Sequence, residues 1–333
     1  MDATQKKIRY GIIGFGNFAE RAIMPAMRRS ANSELVAIQK RDIDAARRKA
    51  NDHGIPLAFD SVAELVASDK VDAVFIVSAN SAHCPETLLA AAAKKHVLVE
   101  KPMALDTAEA LRMIDACRDN GVVFAVGHML RFSPLLKRMK EIIASGDAGE
   151  ITSVRSEFMY DASKSQRQWL FDRKAAGGGP TFDIGVHCLD SLRFVLDDEV
   201  AAAHARLMPA PTDARTEASS LLSLHFENGT IGSIYTSFET PIRRSFIECI
   251  GRKAVLSAAD FTVGDSTPTL KIIWGEDGKP VKTVEEHFVV PNLYELEISH
   301  MSECIRTGRT PVIGGENGLK NQIVLDAAMG QRT

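Results

Sequence analysis

The chain has 333 residues, 45% of them hydrophobic and 25% charged, with a formal net charge of −3. That length exceeds one ordinary core and suits two domains, and the composition is that of a globular protein in water. A near-neutral charge without a basic run argues against nucleic acid as a partner, and no apolar stretch approaches the roughly 20 residues that span a bilayer.

In chain order, Met1 to Lys7 lead directly into a strand and are read as carrying no signal-peptide core. Short apolar runs predict strands at Ile8 to Ile13, Leu35 to Gln39, Val71 to Val77, Val97 to Glu100 and Val122 to Val126. Helical spacing predicts helices at Asn17 to Ser30, Ile43 to His53 (closed by Gly54), Cys84 to Lys94 and Thr107 to Asn120. Pro25 lies inside the first of them, so a kink or a break is expected there. This alternation over residues 1–127 predicts an α/β class, a doubly wound parallel sheet with helices on both faces.

Beyond Gly127 the pattern changes. A helix at Ser133 to Ser145 is followed by strands at Ile151 to Tyr160, Val200 to Leu207, Ser219 to Phe226, Thr230 to Phe238, Ser245 to Ile250 and Leu270 to Trp274. Asn228-Gly229 predicts a hairpin with a primed turn, because both residues tolerate positive φ. Strand after strand predicts a second, α+β domain over residues 128–333, with a large open, mostly antiparallel sheet. Helices at Thr181 to Leu196 and Leu293 to Thr307 are expected to cover one face, leaving the other to a homodimer or homotetramer. The five cysteines are scattered and lack metal spacing, so they are expected to stay reduced, as in the cytoplasm.

Gly14-Phe15-Gly16-Asn17-Phe18-Ala19 follows a strand and opens a helix. Gly14 allows a tight turn, Gly16 lets a pyrophosphate approach the backbone, and Ala19 permits close helix packing; the helix N-terminus then faces the phosphates. The end of the second strand selects the cofactor. An NAD enzyme places Asp or Glu there, whereas this chain reads Gln39-Lys40-Arg41-Asp42. Lys40 and Arg41 suit a 2′-phosphate, which predicts NADP, with NAD as the lesser option. The alternative is that both are solvated and Asp42 caps the next helix.

Val97 to Val99 run straight into Glu100-Lys101-Pro102, so the lysine should emerge at the carboxyl edge of the parallel sheet, its direction stiffened by proline. Asp183 and His187 lie one helical turn apart after Gly177-Gly178-Gly179-Pro180, a run read as a mobile entrance. Hydride transfer from an alcohol carbon requires a cation beside the developing alkoxide and a base for the hydroxyl proton; Lys101 and His187 fit these roles, and Asp183 orients His187 or binds a substrate hydroxyl. The bland alternative is a helix-face histidine satisfied by Asp183, with Lys101 in a surface ion pair. Trp169 and Arg173 could wall the pocket, and His83 and His128 follow strand ends at the cofactor groove. No cluster suggests a metal.

Ile12-Ile13-Gly14-Phe15-Gly16, Asn80-Ser81-Ala82-His83, Glu100-Lys101-Pro102 and the stretch from Gly177 to Asp190 closely resemble the Gfo/Idh/MocA family of sugar and polyol dehydrogenases, from Ile8 to about Gly330. The resemblance implies a Rossmann domain plus an α/β domain with an open sheet used in dimers or tetramers. It also implies Lys101, Asp183 and His187 as the catalytic set, and a Lys101-Pro102 bond that is often cis. Ser78, Asn80, His83 and Glu100 are implied at the cofactor, and Trp169 and Arg173 beside the nicotinamide pocket. Lys40 stands where many relatives place an acid, and Ser78-Ala79-Asn80 replaces the commoner Thr-Pro-Asn. The chain ends soon after Met329, so its last helix is expected to be short.

The reading that follows is an NADP(H)-dependent oxidoreductase acting on a secondary hydroxyl or keto group of a sugar, polyol or sugar derivative. Two competitors are an NAD-dependent glycoside hydrolase or sugar oxidoreductase with a tightly held, recycled cofactor, and a non-enzymatic nucleotide-binding sensor.

Overall fold

The structure, a computed structural model, describes residues 6–330. The reading of residues 1–5 as free of an export signal therefore lies outside the described residues. The chain divides into two compact units. One runs to Met129 and takes in Tyr294–Gln322; the other holds Leu130–Leu293 and the residues from Ile323 on.

In the first unit β1 (Ile8–Ile13), β2 (Ser33–Gln39), β3 (Leu57–Phe59), β4 (Ala73–Ile76), β5 (His96–Val99) and β6 (Phe124–Val126) form a wholly parallel sheet in the order β3-β2-β1-β4-β5-β6. Residues such as Ile12, Ile13, Phe75, Ile76, Leu98 and Val99 are buried on both faces, which is why these strands read as unbroken apolar runs. The strand order reverses between β1 and β4, and at such a switch point the following loops part and leave a crevice. β3 and the helix Val62–Ala67 were not expected; three and six residues are too short to show a period.

The break expected at Pro25 takes the form of a π turn, Ala19–Ile23, that runs into the helix Met24–Arg29. Pro25 thereby falls in the first turn of that helix, directly after the π turn. Gly54 closes the helix Ile43–His53 at φ +61.

The helix Leu293–Thr307, expected on the antiparallel sheet, instead belongs from Tyr294 onward to the first unit. The hydroxyls of Tyr10 and Ser302 lie 2.9 Å apart, those of Ser33 and Ser302 2.8 Å, and Arg29 pairs with Glu295 at 2.9 Å. An amphipathic helix shows that one face will be covered, not by which sheet. The division therefore falls after Met129 rather than Gly127, and the second unit is not one continuous stretch.

The second unit carries β7 (Ile151–Met159), β8 (Val200–Met208), β9 (Ser219–Phe226), β10 (Ile231–Ser237), β11 (Arg244–Gly251), β12 (Ala254–Ala259), β13 (Thr269–Glu276) and β14 (Lys279–His287), in the order β14-β13-β12-β11-β7-β10-β9-β8. Every pairing is antiparallel except β7 with β10. β12 is rich in alanine, and β14 is a charged edge strand with a proline, so neither shows the usual strand signature. The hairpin at Asn228-Gly229 is present, but its turn is not the primed type. Only Gly229 has positive φ, its N–H donates to Phe226 O, and the Phe226 N–H donates to Thr230 O: a three-residue loop with a glycine bulge.

On one face of this sheet Leu222, Leu224, Ile234, Ile247, Leu256 and Ile272 are buried, and the helix Val186–Leu196 packs there through His187 against Phe158. On the other face Leu221, Ile231 and Tyr235 are 51%, 60% and 40% exposed. The last helix, Gly315–Ala328, has 14 residues and is longer than expected. Among the described residues no helix is long and apolar enough to cross a membrane.

Candidate active site

At the switch point the turn after β1 is braced from three sides. Gly14 has φ +79, and a Cβ on it would lie 2.8 Å from the Ser78 backbone that leaves β4. Its N–H donates to Gln39 Oε1 at 3.2 Å, while Gln39 Nε2 donates to Asp60 O at 2.8 Å. Gln39 is thus spent on the turn, a role that the sequence reading missed; its only signal was a polar residue ending an apolar strand. Nothing but Gly14 O, at 3.8 Å, faces a Cβ built on Gly16, and Gly16 and Asn17 are exposed. An exposed, unobstructed backbone at a helix start fits a pyrophosphate.

Phe15 and Phe18 have other duties. The Phe15 ring is buried, edge-on to His53 at 6.3 Å, and Phe18 stands edge-on to Tyr294 at 5.7 Å, so of Phe15 only the backbone faces the turn. Lys40 is half-buried and Arg41 exposed, directly after β2. Asp42 does cap the next helix, accepting from the Ala45 N–H at 3.0 Å.

Behind the turn, Ser78 Oγ donates to Glu86 at 2.6 Å, and burial pushes the Glu86 acid up to about 7. His83 lies inside the unit with Nδ1 2.9 Å from Pro102 O and Nε2 3.3 Å from Ser78 O. Burial pushes this imidazole down to about 4, which keeps it neutral. His83 therefore ties the helix Asn80–Ala92 to the lysine turn rather than lining a groove. Asn80 opens that helix and is buried too.

Lys101 is half-buried at the exit of β5, and its bond to Pro102 is cis. Its N–H donates to Glu100 Oε2 at 3.2 Å. Glu100, expected at the cofactor, is buried instead toward Glu297 of the returning segment; burial, reinforced by the Glu100 charge, raises the Glu297 acid well above the usual carboxylate range. His128 is likewise buried, its Nε2 3.1 Å from Asn321 Nδ2.

In the second unit a π turn, Thr181–Gly185, leads into the helix Val186–Leu196 and carries Asp183; His187 follows one turn later, both buried. Asp183 is gripped by two side chains absent from the sequence reading. Tyr160 Oη donates to Asp183 Oδ2 at 2.8 Å, and Arg167 Nη1 donates to Oδ1 at 3.2 Å. Arg167 Nη2 also reaches Tyr160 Oη at 3.2 Å. Burial and the Asp183 charge raise the phenol of Tyr160 above its ordinary range, so it stays a donor. A signal for Tyr160 existed. The alternation of β7 puts Val154, Ser156 and Phe158 on the covered face, and Tyr160 continues it. Arg167 sits in an unpatterned polar loop and gave none.

Trp169 lies within the short turn Gln168–Phe171 and Arg173 just after it, both half-buried, with Arg173 Nη1 donating to Thr212 O at 3.5 Å. Asp190, on the stripe of Asp183 and His187, is a buried ion-pair partner of Arg131 at 2.9 Å and serves the fold. Among the described residues no group of His, Cys, Asp and Glu could hold a metal.

Three comparisons bear on this arrangement. The model of the GFO/IDH/MocA oxidoreductase family, NAD-binding Rossmann fold, matches residues 8–128, and that of the GFO/IDH/MocA C-terminal domain matches residues 136–257. The chain is 30% identical over 331 residues to the 1,5-anhydro-D-fructose reductase of Ensifer adhaerens, covering 97% of each. It is 29% identical to a D-xylose 1-dehydrogenase (NADP(+)) of Haloferax volcanii, covering 96% of this chain and 95% of that one. The crystal structure of the aldose-aldose oxidoreductase from Caulobacter crescentus, complexed with glycerol, superposes with a TM-score of 0.84 at 28% identity, covering 97% of this chain and 96% of that one.

Proposed function

The chain belongs to the Gfo/Idh/MocA family of oxidoreductases, and from that premise we propose that it interconverts a secondary hydroxyl and a keto group on a sugar, polyol or sugar derivative with NADP(H). One observation carries this reading: the chain aligns over nearly its whole length with a sugar reductase and a sugar dehydrogenase, and its own sequence carries Glu100-Lys101-Pro102 and an Asp183-x-Gly-x-His187 run.

When bound, the nicotinamide gives or takes the hydride. Lys101 sets its ammonium beside the reacting oxygen and favours the developing alkoxide. His187 moves the hydroxyl proton, a task suited to an imidazole near neutral pH. Asp183, held by Tyr160 and Arg167, presents a carboxylate of fixed direction to a substrate hydroxyl. Trp169 and Arg173 wall the substrate region. The backbone of Gly14, Phe15, Gly16, Asn17 and Phe18 receives the pyrophosphate, and Ser78 and Asn80 flank it.

The preference for NADP rests on Lys40 and Arg41. At about 5 Å and an effective dielectric of about 20, each cation–phosphate charge pair is worth about 3 kcal/mol before screening, roughly a hundredfold in affinity. We assign the protein to the cytoplasm, in keeping with five unbridged cysteines, and to a homo-oligomer formed through the exposed face of the eight-stranded sheet.

The test is a spectrophotometric screen of D-xylose, 1,5-anhydro-D-fructose and myo-inositol with NADP(H) and NAD(H). Turnover with the phosphorylated cofactor favoured is expected; preference for NAD removes the cofactor assignment, and no turnover of any of the three removes the reading. Lys101→Met should lower kcat by about a hundredfold or more with nucleotide affinity within a few-fold of the parent. The likeness to an aldose-aldose oxidoreductase supports a second reading, in which one sugar is oxidised and another reduced on a retained cofactor. Nucleotide that stays with the protein through dialysis would favour it.

A further inference from the structure

Three consecutive glycines and a proline precede the helix that carries Asp183 and His187. Such a run suggests a mobile entrance, because glycine leaves the backbone unrestrained. The fold instead holds it closely. The N–H groups of Gly179 and Thr181 both donate to Glu217 Oε1, at 2.9 and 3.2 Å, and Glu217 is only 1% exposed. A Cβ on Gly179 would lie 2.1 Å from the Glu217 carbonyl oxygen, so no other residue allows this approach.

The stretch just before Glu217 grips a second piece of the same unit. Thr216 Oγ1 donates to Leu170 O at 3.0 Å, the Thr216 N–H to Phe171 O at 3.3 Å, and the Arg173 N–H to Ala214 O at 3.4 Å. One short segment, residues 214–217, is therefore bonded both to the turn bearing Trp169 and Arg173 and to the start of the helix bearing Asp183 and His187.

We propose that Glu217 is a positioning residue of the reaction: its buried carboxylate fixes the start of the 181–196 helix and thereby the directions of Asp183 and His187. The first N–H groups of a helix have no partner within it, and a carboxylate there satisfies them while opposing the positive end of the helix dipole. A displacement of about 1 Å at the reacting groups can cost about a hundredfold in rate. Three glycines with no anchor would permit displacements of that size.

This inference rests on the proposed roles of Asp183 and His187, and the experiment separates the two. Glu217→Ala should lower kcat by about thirtyfold or more, with nucleotide affinity, read by fluorescence titration, within about twofold of the parent. Glu217→Gln keeps an oxygen for both donors and should recover kcat to within about fivefold of the parent. If the alanine variant does not fold, Glu217→Asp, one methylene short, is read in the same way. A parent-like kcat in the alanine or aspartate variant overturns the proposal, as does a glutamine variant as slow as the alanine one. Should the parent turn over no sugar, the function reading fails on its own, and hydrogen exchange of peptide 177–187 still decides this one. Slow exchange in the parent that quickens in Glu217→Ala or Glu217→Asp supports the anchor; exchange unchanged by the substitution rejects it.

Discussion

Glu86 accepts the Ser78 hydroxyl immediately behind the glycine turn, and burial pushes its acid up to about 7. The folded chain therefore holds a proton that the unfolded chain has released once the pH exceeds the ordinary carboxylate value of 4.5. Stability linked to Glu86 is full below 4.5, declines as the pH rises toward 7, and is level above that. Glu86→Gln should flatten this decline. Thermal midpoints measured from pH 5 to 8 test it: the parent should lose a few degrees that the variant keeps, since about 1 kcal/mol moves the midpoint of such a unit by about 2–4 °C. Parallel curves would show that Glu86 titrates as an ordinary surface acid. Asp183 is buried in a different setting, with Tyr160 and Arg167 donating to its two oxygens.

The β1 turn uses its two glycines for different reasons, and the difference can be measured. Gly14 is required by the fold: its φ is +79, and a Cβ would press on Ser78 at 2.8 Å. A Cβ on Gly16 would meet no part of the chain closer than 3.8 Å. Gly14→Ala should cost about 1–3 kcal/mol of stability, read as a lower thermal midpoint, and should also weaken nucleotide binding. Gly16→Ala should leave the midpoint unchanged and weaken nucleotide by about tenfold, as a methyl group occupies the path of the pyrophosphate. An alanine at Gly16 that binds nucleotide normally would place the phosphates elsewhere. Elements with long periods or clear punctuation, such as the helix Ile43–His53 with Gly54 after it, were legible to the residue. The short β3, the alanine-rich β12 and the charged edge strand β14 were not, because their pairing is decided by neighbours distant in the chain.

At the scale of the molecule, the proposed homo-oligomer would form through the exposed face of the eight-stranded sheet. Leu221 and Tyr235 are direct cross-strand neighbours, Ile231 lies two pairs further along, and ion pairs Arg155–Glu248 and Arg244–Glu157 continue the face across β7 and β11. The combined substitutions Leu221→Lys and Tyr235→Glu, both on exposed side chains, should leave the fold intact and convert the oligomer to monomers in light scattering after gel filtration. A parent that runs as a monomer at micromolar concentration would remove the oligomer from the account.

What the sequence determined alone were features made by near neighbours: the strand and helix periods, the glycine turn, and the change from alternating to successive strands. What only the tertiary structure decided were closures between remote residues. Tyr10 meets Ser302 across 292 positions, which carries the 294–322 segment into the first unit. Gln39 reaches Gly14 across 25 positions, and Glu217 reaches Gly179 across 38. Local preference acts through a few backbone dihedrals and leaves its mark in a short window of sequence, whereas these contacts exist only after sheets and helices have packed, and a single glutamine or glutamate looks the same whether it ends in water or at the start of a buried helix.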